Sequence, residues 1–245
     1  LLHFYFSRLA TLLATLTCTT VMAADEISGG ALGSSRADAK AAIVKANPNF
    51  KLSPLLIRGG QEAGVTAVTT DRLPRTGLGD PGGPSDEFAA LQNDAGKVWY
   101  ITRVQRLPEG GRIQADALGA ALTEKFGKPS GTTPLTSLAY YWHYDRNGKQ
   151  YVGPASGGPC HTVSGNGMNI PGMTVGAPRS FSPTCGKIIQ VGATIPSNGM
   201  VPYYTVAIID AKSMFDELTA SDARAKAAQS KKLADEKAKN ITPNI

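Results

Sequence analysis

The chain reads as an α+β protein, a mostly antiparallel sheet with helices on one face, arranged as two similar lobes. Three observations predict this. Helical periodicity is confined to "RADAKAAIVKANP", "ADALGAALTEKFG" and the last thirty or so residues. Runs of short strands, not single strands, separate these helices, which argues for hairpins over a doubly wound parallel sheet. The order β-α-β-β-β-β, then α-β-β-β-β-α, also repeats its own grammar. The expected divisions are a leader over 1–23, an N-terminal lobe over 24–110, a C-terminal lobe over 111–220 and a charged helical tail over 221–245.

The opening "LLHFYFSRLATLLATLTCTTVMAADE" has Arg8 before an apolar run from Leu9 to Leu16, then Val21-Met22-Ala23. That pattern predicts a secretory signal peptide cleaved near Ala23 and a periplasmic or secreted product. Cys18 raises a lipid anchor, but Thr15-Leu16-Thr17 makes a poor lipobox. No later apolar stretch approaches the roughly 20 residues that span a bilayer, so no transmembrane segment is expected after cleavage. The formal charge is +6, and +5 without Arg8. A charge this diffuse argues against nucleic acid as a partner and leaves anionic lipid or acidic glycan open.

"ADEISGGALGS" reads as a short strand and a glycine turn. Ser34 or Ser35 then caps a helix whose apolar positions Ala39, Ala42, Ile43 and Ala46 share a face, and Asn47-Pro48 stops it. "FKLSPLLIRGG" and "AGVTAVTTDR" are strands around Gly59-Gly60, followed by the Gly/Pro loop "LPRTGLGDPGGPS". "EFAALQ" and "KVWYITRVQRL" flank the turn "NDAG". The second helix places Ala117, Leu118, Ala121, Leu122 and Phe126 on one side and ends at Gly127 and Pro129. "LAYYWHYDRNGKQYV" is a hairpin in which Asn147-Gly148 supplies the positive φ angles. "KIIQVGATIP" and "YYTVAIID" are the last strands, before a helix from about Ala211 to Lys239. Met214, Phe215 and Leu218 are expected to dock it, while its second half, with six basic residues from Arg224 to Lys239, is expected to project as a solvated helix or a basic contact.

"GGALGSSRADAKAAIVKANP" resembles the opening of uncharacterised exported proteobacterial proteins. "VWYITRVQRL…ALTEKFGKPS" resembles their strand-then-helix segment. Their lobes are similar in layout to β-lactamase inhibitory proteins and small outer-membrane assembly lipoproteins. The resemblance implies a periplasmic interaction domain and carries over no catalytic residue. The poor lipobox departs from the lipoprotein relatives.

Chemistry-bearing residues are few. With the leader removed, Cys160 and Cys185 form an even pair, separated by twenty-four residues rich in Gly, Pro, Ser and Thr. An oxidising compartment favours a disulfide, worth about 3.5 kcal/mol by loop closure, over free thiols. Cys160-His161 makes a poor nucleophile–base pair, because neighbours in extended chain point apart; Cys160 with His143 has no supporting signature. The four residues 143, 160, 161 and 185 lack zinc-chelate spacing, and no cofactor motif is present. In "AYYWHYD", Tyr140, Trp142 and Tyr144 alternate with Tyr141, His143 and Asp145. The candidate binding surface is Tyr141, Trp142, His143, Tyr144 and Arg179, set against a bland reading in which one aromatic row is core. Trp99 reads as core.

The resulting expectation is an exported, non-enzymatic binding module for another envelope protein. The alternatives are a cell-envelope hydrolase walled by loops 74–85 and 157–187, and a carbohydrate-binding module that would need exposed aromatics at Tyr141, Trp142 or Tyr144.

Overall fold

The computed structural model describes residues 25–56, 60–76, 80–133, 137–163 and 167–239, with the side chains of all of these except 133 and 137–139. The leader expected over 1–23, with its cleavage site at Ala23, lies outside the described residues, as does Gly59.

A two-residue hairpin, Glu26–Ile27 with Gly30–Ala31, precedes the first helix, α1 (Arg36–Ala46). Ser35 caps α1: its hydroxyl accepts from the Asp38 amide while the Asp38 carboxylate accepts from the Ser35 amide. Four strands follow: β1 (Lys51–Leu56), β2 (Glu62–Val68), β3 (Asp86–Gln92) and β4 (Val98–Arg106). The second half repeats the order with α2 (Ala115–Phe126), β5 (Gly131–Thr133), β6 (Ser137–Asp145), β7 (Cys185–Thr194) and β8 (Tyr203–Asp210). A long helix, α3 (Ala211–Ala238), closes the described chain.

All eight strands join one antiparallel sheet in the order β5-β6-β7-β8-β4-β3-β2-β1, and the short strand Gln150–Tyr151 also pairs with β6. The order shows how the halves meet. Each is a helix followed by a four-stranded meander, and the two last strands, β4 and β8, pair with each other from Arg106↔Tyr203 to Tyr100↔Ile209. Hydrogen bonding is therefore continuous across residue 110, the boundary drawn between the two halves. Such a junction keeps like elements of the two meanders on the same side of the sheet.

Burial follows that rule. On the first face α1 contributes Ala39 and Ile43, and α2 contributes Leu118, Leu122 and Phe126, packing on residues such as Phe88, Ile101, Trp142 and Ile189. Ala117 and Ala121, expected on the buried side of α2, face outward, because Leu118, Leu122 and Phe126 already fill the contact. The second face is covered by irregular chain and, at one end, by the first turn of α3 through Ala211 and Met214. Each half inserts its longest excursion between its second and third strands, 69–85 after β2 and 146–184 after β6. Cys160, Ile170 and Ala177 from the longer excursion pack on Leu91, Tyr100 and Ile209. With both faces covered, the central strands are apolar almost throughout, which explains runs such as "FAAL" and "KIIQVGA".

Two expectations are corrected. The tight turn after β6 takes its positive φ at Gly148 (80°) alone; Asn147 is not left-handed, and the Asp145 carboxylate organises the turn by accepting from the amides of Asn147 and Lys149. Met214 and Phe215 dock α3, the latter beneath Arg146 (5.8 Å), but Leu218 is 44% exposed. The Arg146–Asp216 ion pair and the Asp94 amide, which donates to Glu217, complete the anchorage. From Leu218 to Lys239 every residue is exposed, so α3 projects roughly 30 Å beyond its anchor.

Candidate functional site

The second face is not covered evenly. Over β6, β7 and β8 the excursions part and leave a groove made of two adjoining cavities of about 620 Å³ and about 520 Å³. Gly192 on β7 and Thr205 on β8 line both, so the groove is continuous across them. Alternation of side chains explains the floor. Gln190, Gly192 and Thr194 of β7 point to this face, while Ile189, Val191 and Ala193 between them fill the opposite core. Glycine keeps the middle open: a Cβ at position 192 would lie 3.3 Å from Thr205 Oγ1.

The walls are irregular chain held by two devices. The first is the disulfide between Cys160 and Cys185, both buried, which ties the segment 155–163 to the start of β7. The second is a buried ionic network around Arg106. Its Nε donates to Asp80 Oδ1 (3.0 Å) and its Nη1 to Glu87 Oε1 (2.5 Å) and the Pro84 carbonyl (2.7 Å). Its Nη2 donates to Thr174 Oγ1 (2.8 Å), and Glu87 also accepts from the Thr174 amide and hydroxyl. One guanidinium thus joins the shorter excursion, through Asp80 and Pro84, to the longer one, through Thr174. The side chains of all three charged residues are at most 1% exposed. Burial pushes the Asp80 carboxyl up, but hydrogen bonds from Thr76, Gly82 and Arg106 outweigh it and hold the group below its ordinary value. Tyr203 lies under the same guanidinium (5.1 Å), and burial raises its phenol to about 12. A further anchor is the Tyr100 hydroxyl, which donates to the Gly176 carbonyl (2.8 Å).

The larger cavity is lined by Arg75, Asp80, Asn169, Met173, Tyr203 and Thr205 among others. The smaller is lined by Tyr141, His143, Ser156, His161, Gln190 and Thr205 among others. Burial lowers the His143 imidazole below its ordinary value, so the ring is neutral at pH 7. His161 is exposed, with Nδ1 3.0 Å from the Gly158 carbonyl. A carbonyl only accepts, so Nδ1 carries the proton. Tyr141 donates its hydroxyl to the Gly153 carbonyl (2.9 Å) and lies 5.0 Å from the His143 ring.

The structure separates the residues expected to form one surface. Tyr141 and His143 border the groove. Trp142, between them, is completely buried on the opposite face against Phe126 and Tyr140, with its indole N–H donated to the Gly127 carbonyl (2.9 Å). It offers nothing to a partner, because strand alternation turns it into the helix-covered core. Tyr144 lies on that same face, half-buried under the Lys187 ammonium (4.5 Å). Arg179 is exposed but packs beside Gly167, away from the groove lining. Sequence reasoning missed Arg106 and its carboxylates. The available signal was two arginines, Arg103 and Arg106, inside the apolar strand "VWYITRVQR": a charge in a doubly covered strand needs a buried partner. Arg103 has one on the other face, a two-pronged pair with Asp86 that also reaches Ser28. Among the described residues no cluster of three or more His, Cys, Asp or Glu is placed to hold a metal ion, and no helix is long and apolar enough to cross a membrane. In comparisons with known proteins, the chain matches no family model, no curated protein and no solved structure.

Proposed function

We propose that this chain is an exported, non-enzymatic binding module that holds an extended segment of a partner protein in the groove over β6, β7 and β8. The observation that carries the reading is the continuity of the two cavities across Gly192 and Thr205. An elongated, open trough with a polar floor suits a chain-like ligand better than a compact one. Gln190, Asn169, Thr205 and the two imidazoles offer hydrogen bonds of the kind that peptide amides accept and return. Asp80, which lines the larger cavity, and Glu87, which shares its guanidinium, are already engaged by Arg106 and Thr174 and serve the walls. Export is supported by the Cys160–Cys185 disulfide, a bond that persists in oxidising compartments. The resemblance of the opening motifs to exported interaction domains points the same way.

The test is selection from a displayed random-peptide library on the full chain and on Gly192→Phe, which fills the middle of the trough. Peptides enriched on the wild type and lost on Gly192→Phe are the expected result. Equal enrichment on both proteins overturns the assignment to this groove. Absent enrichment alongside retention of oligosaccharides favours a carbohydrate module, and cleavage of the selected peptides favours a hydrolase.

A further inference from the structure

We propose that Gln190 is a main-chain clamp: its carboxamide engages the N–H and C=O of one residue of the bound peptide, so the groove selects extended backbone that carries an N–H at that point. This deepens the peptide-binding reading and rests on it.

The first observation is the direction of the groove. The smaller cavity follows β7 from Ile188 to Gly192, and the larger continues from Gly192 to Thr194. The trough therefore runs along the strand for roughly 20 Å, at about 3.4 Å per residue. An extended peptide has the same rise. Laid along β7, it brings alternate residues back to the floor every ~7 Å, which is the spacing from one floor residue, Gln190, to the next, Gly192.

The second observation is that Gln190 stands in the floor without a partner. Its cross-strand neighbours are Tyr141 on β6 and Ala207 on β8, and Ile188 and Gly192 flank it along β7. Ala207, Ile188 and Gly192 carry no polar side-chain atom, and Tyr141 gives its proton to the Gly153 carbonyl. Half-buried among them, the Gln190 carboxamide makes no hydrogen bond to any of the described residues. It presents an acceptor oxygen and two N–H donors side by side. In extended chain the N–H and C=O of a single residue point the same way, the pair that a neighbouring strand would engage. Donor then meets acceptor twice. A carboxylate would satisfy only the donors of the carboxamide, and an ammonium only its acceptor.

The third observation is room for main chain to approach. Gly192 has no side chain to hold a peptide off, and Thr205 stands across from it. The Thr205 hydroxyl donates to the Gly192 carbonyl (3.5 Å), which leaves its lone pairs to accept a second peptide N–H one spacing further on. Both contacts address main chain, so side chains are left to the walls. Proline, which has no N–H, is excluded at the clamped residue.

The experiment measures binding of two end-capped random hexamer pools to the full chain, to Gln190→Met and to Gln190→Glu. One pool has ordinary peptide bonds; in the other an ester oxygen replaces each main-chain N–H. Methionine keeps the length of glutamine and removes both hydrogen-bonding groups, while glutamate keeps the acceptor. The preference for amide over ester should be about tenfold greater on the wild type than on Gln190→Met, the effect of one well-made hydrogen bond. Gln190→Glu should retain that preference while binding both pools more weakly, with urea midpoints confirming that the variants fold. On the wild type alone, peptides recovered from the ordinary pool should be depleted in proline at one position. An equal preference on wild type and Gln190→Met, or proline tolerated throughout, overturns the clamp while leaving the peptide groove standing. Binding of neither pool to the wild type overturns both.

Discussion

Replacing Arg106 by Met removes a cation that ties both excursions to the sheet. The guanidinium makes two ion-paired bonds, to Asp80 and Glu87, and two to neutral acceptors, the Pro84 carbonyl and the Thr174 hydroxyl. Two charged bonds at about 1.5–3 kcal/mol each bracket a loss of about 3–6 kcal/mol. Breaking a buried ion pair by removing one partner independently suggests about 3–5 kcal/mol, because the stranded carboxylates stay out of water. With a urea slope of about 2 kcal/mol/M, the unfolding midpoint should fall by about 2 M. The loss should also be smaller at acid pH: without the guanidinium, only Thr76 and Gly82 oppose the upward push of burial on Asp80, and its protonation relieves the stranded charge. Adding Asp80→Asn and Glu87→Gln should recover much of the loss. The assay is urea unfolding followed by tryptophan fluorescence at two pH values, with amide exchange to confirm early opening around Thr174. A loss below about 1 kcal/mol, or a loss independent of pH, would refute the view that this network clamps the groove.

Other expectations follow from the same geometry. Replacing both Cys160 and Cys185 by Ser should cost about 3.5 kcal/mol, and the native chain should be lighter by two hydrogens than its reduced form. Because burial lowers the His143 pKa below 6.5, the unfolded chain binds a proton that the folded chain refuses; stability should fall as pH drops below 6.5, and His143→Gln should flatten that slope in a pH series of melts. Trp142→Ala should cost about 3–5 kcal/mol, whereas half-buried Tyr141→Ala should cost less than half as much in the same unfolding assay. Truncation after Ser221 should leave the melting temperature nearly unchanged, since surface changes are usually within about 0.5 kcal/mol.

The linear chain determined most of the secondary structure and its order, for local reasons. Ser35 with Asp38 announces a helix start, Leu118, Leu122 and Phe126 keep a helical period, and Gly127 at φ 77° ends the helix because it accepts that angle without strain. The antiparallel character was equally legible, since hairpin turns join strands near in sequence. The cysteine pairing followed from count and composition. Three features were settled only in the folded protein. The first is the β4–β8 junction, which joins strands about a hundred residues apart and leaves no local mark. The second is which face of "AYYWHYD" meets solvent. Alternation divides the residues into two rows, but only the positions of α2 and the long excursion decide that Trp142 is core and His143 borders a groove. The third is the partnership of Arg106 with Asp80, Glu87 and Thr174, drawn from three separate segments. A buried charge in the sequence demands a partner, and only the packing of distant chain on a common face selects which one.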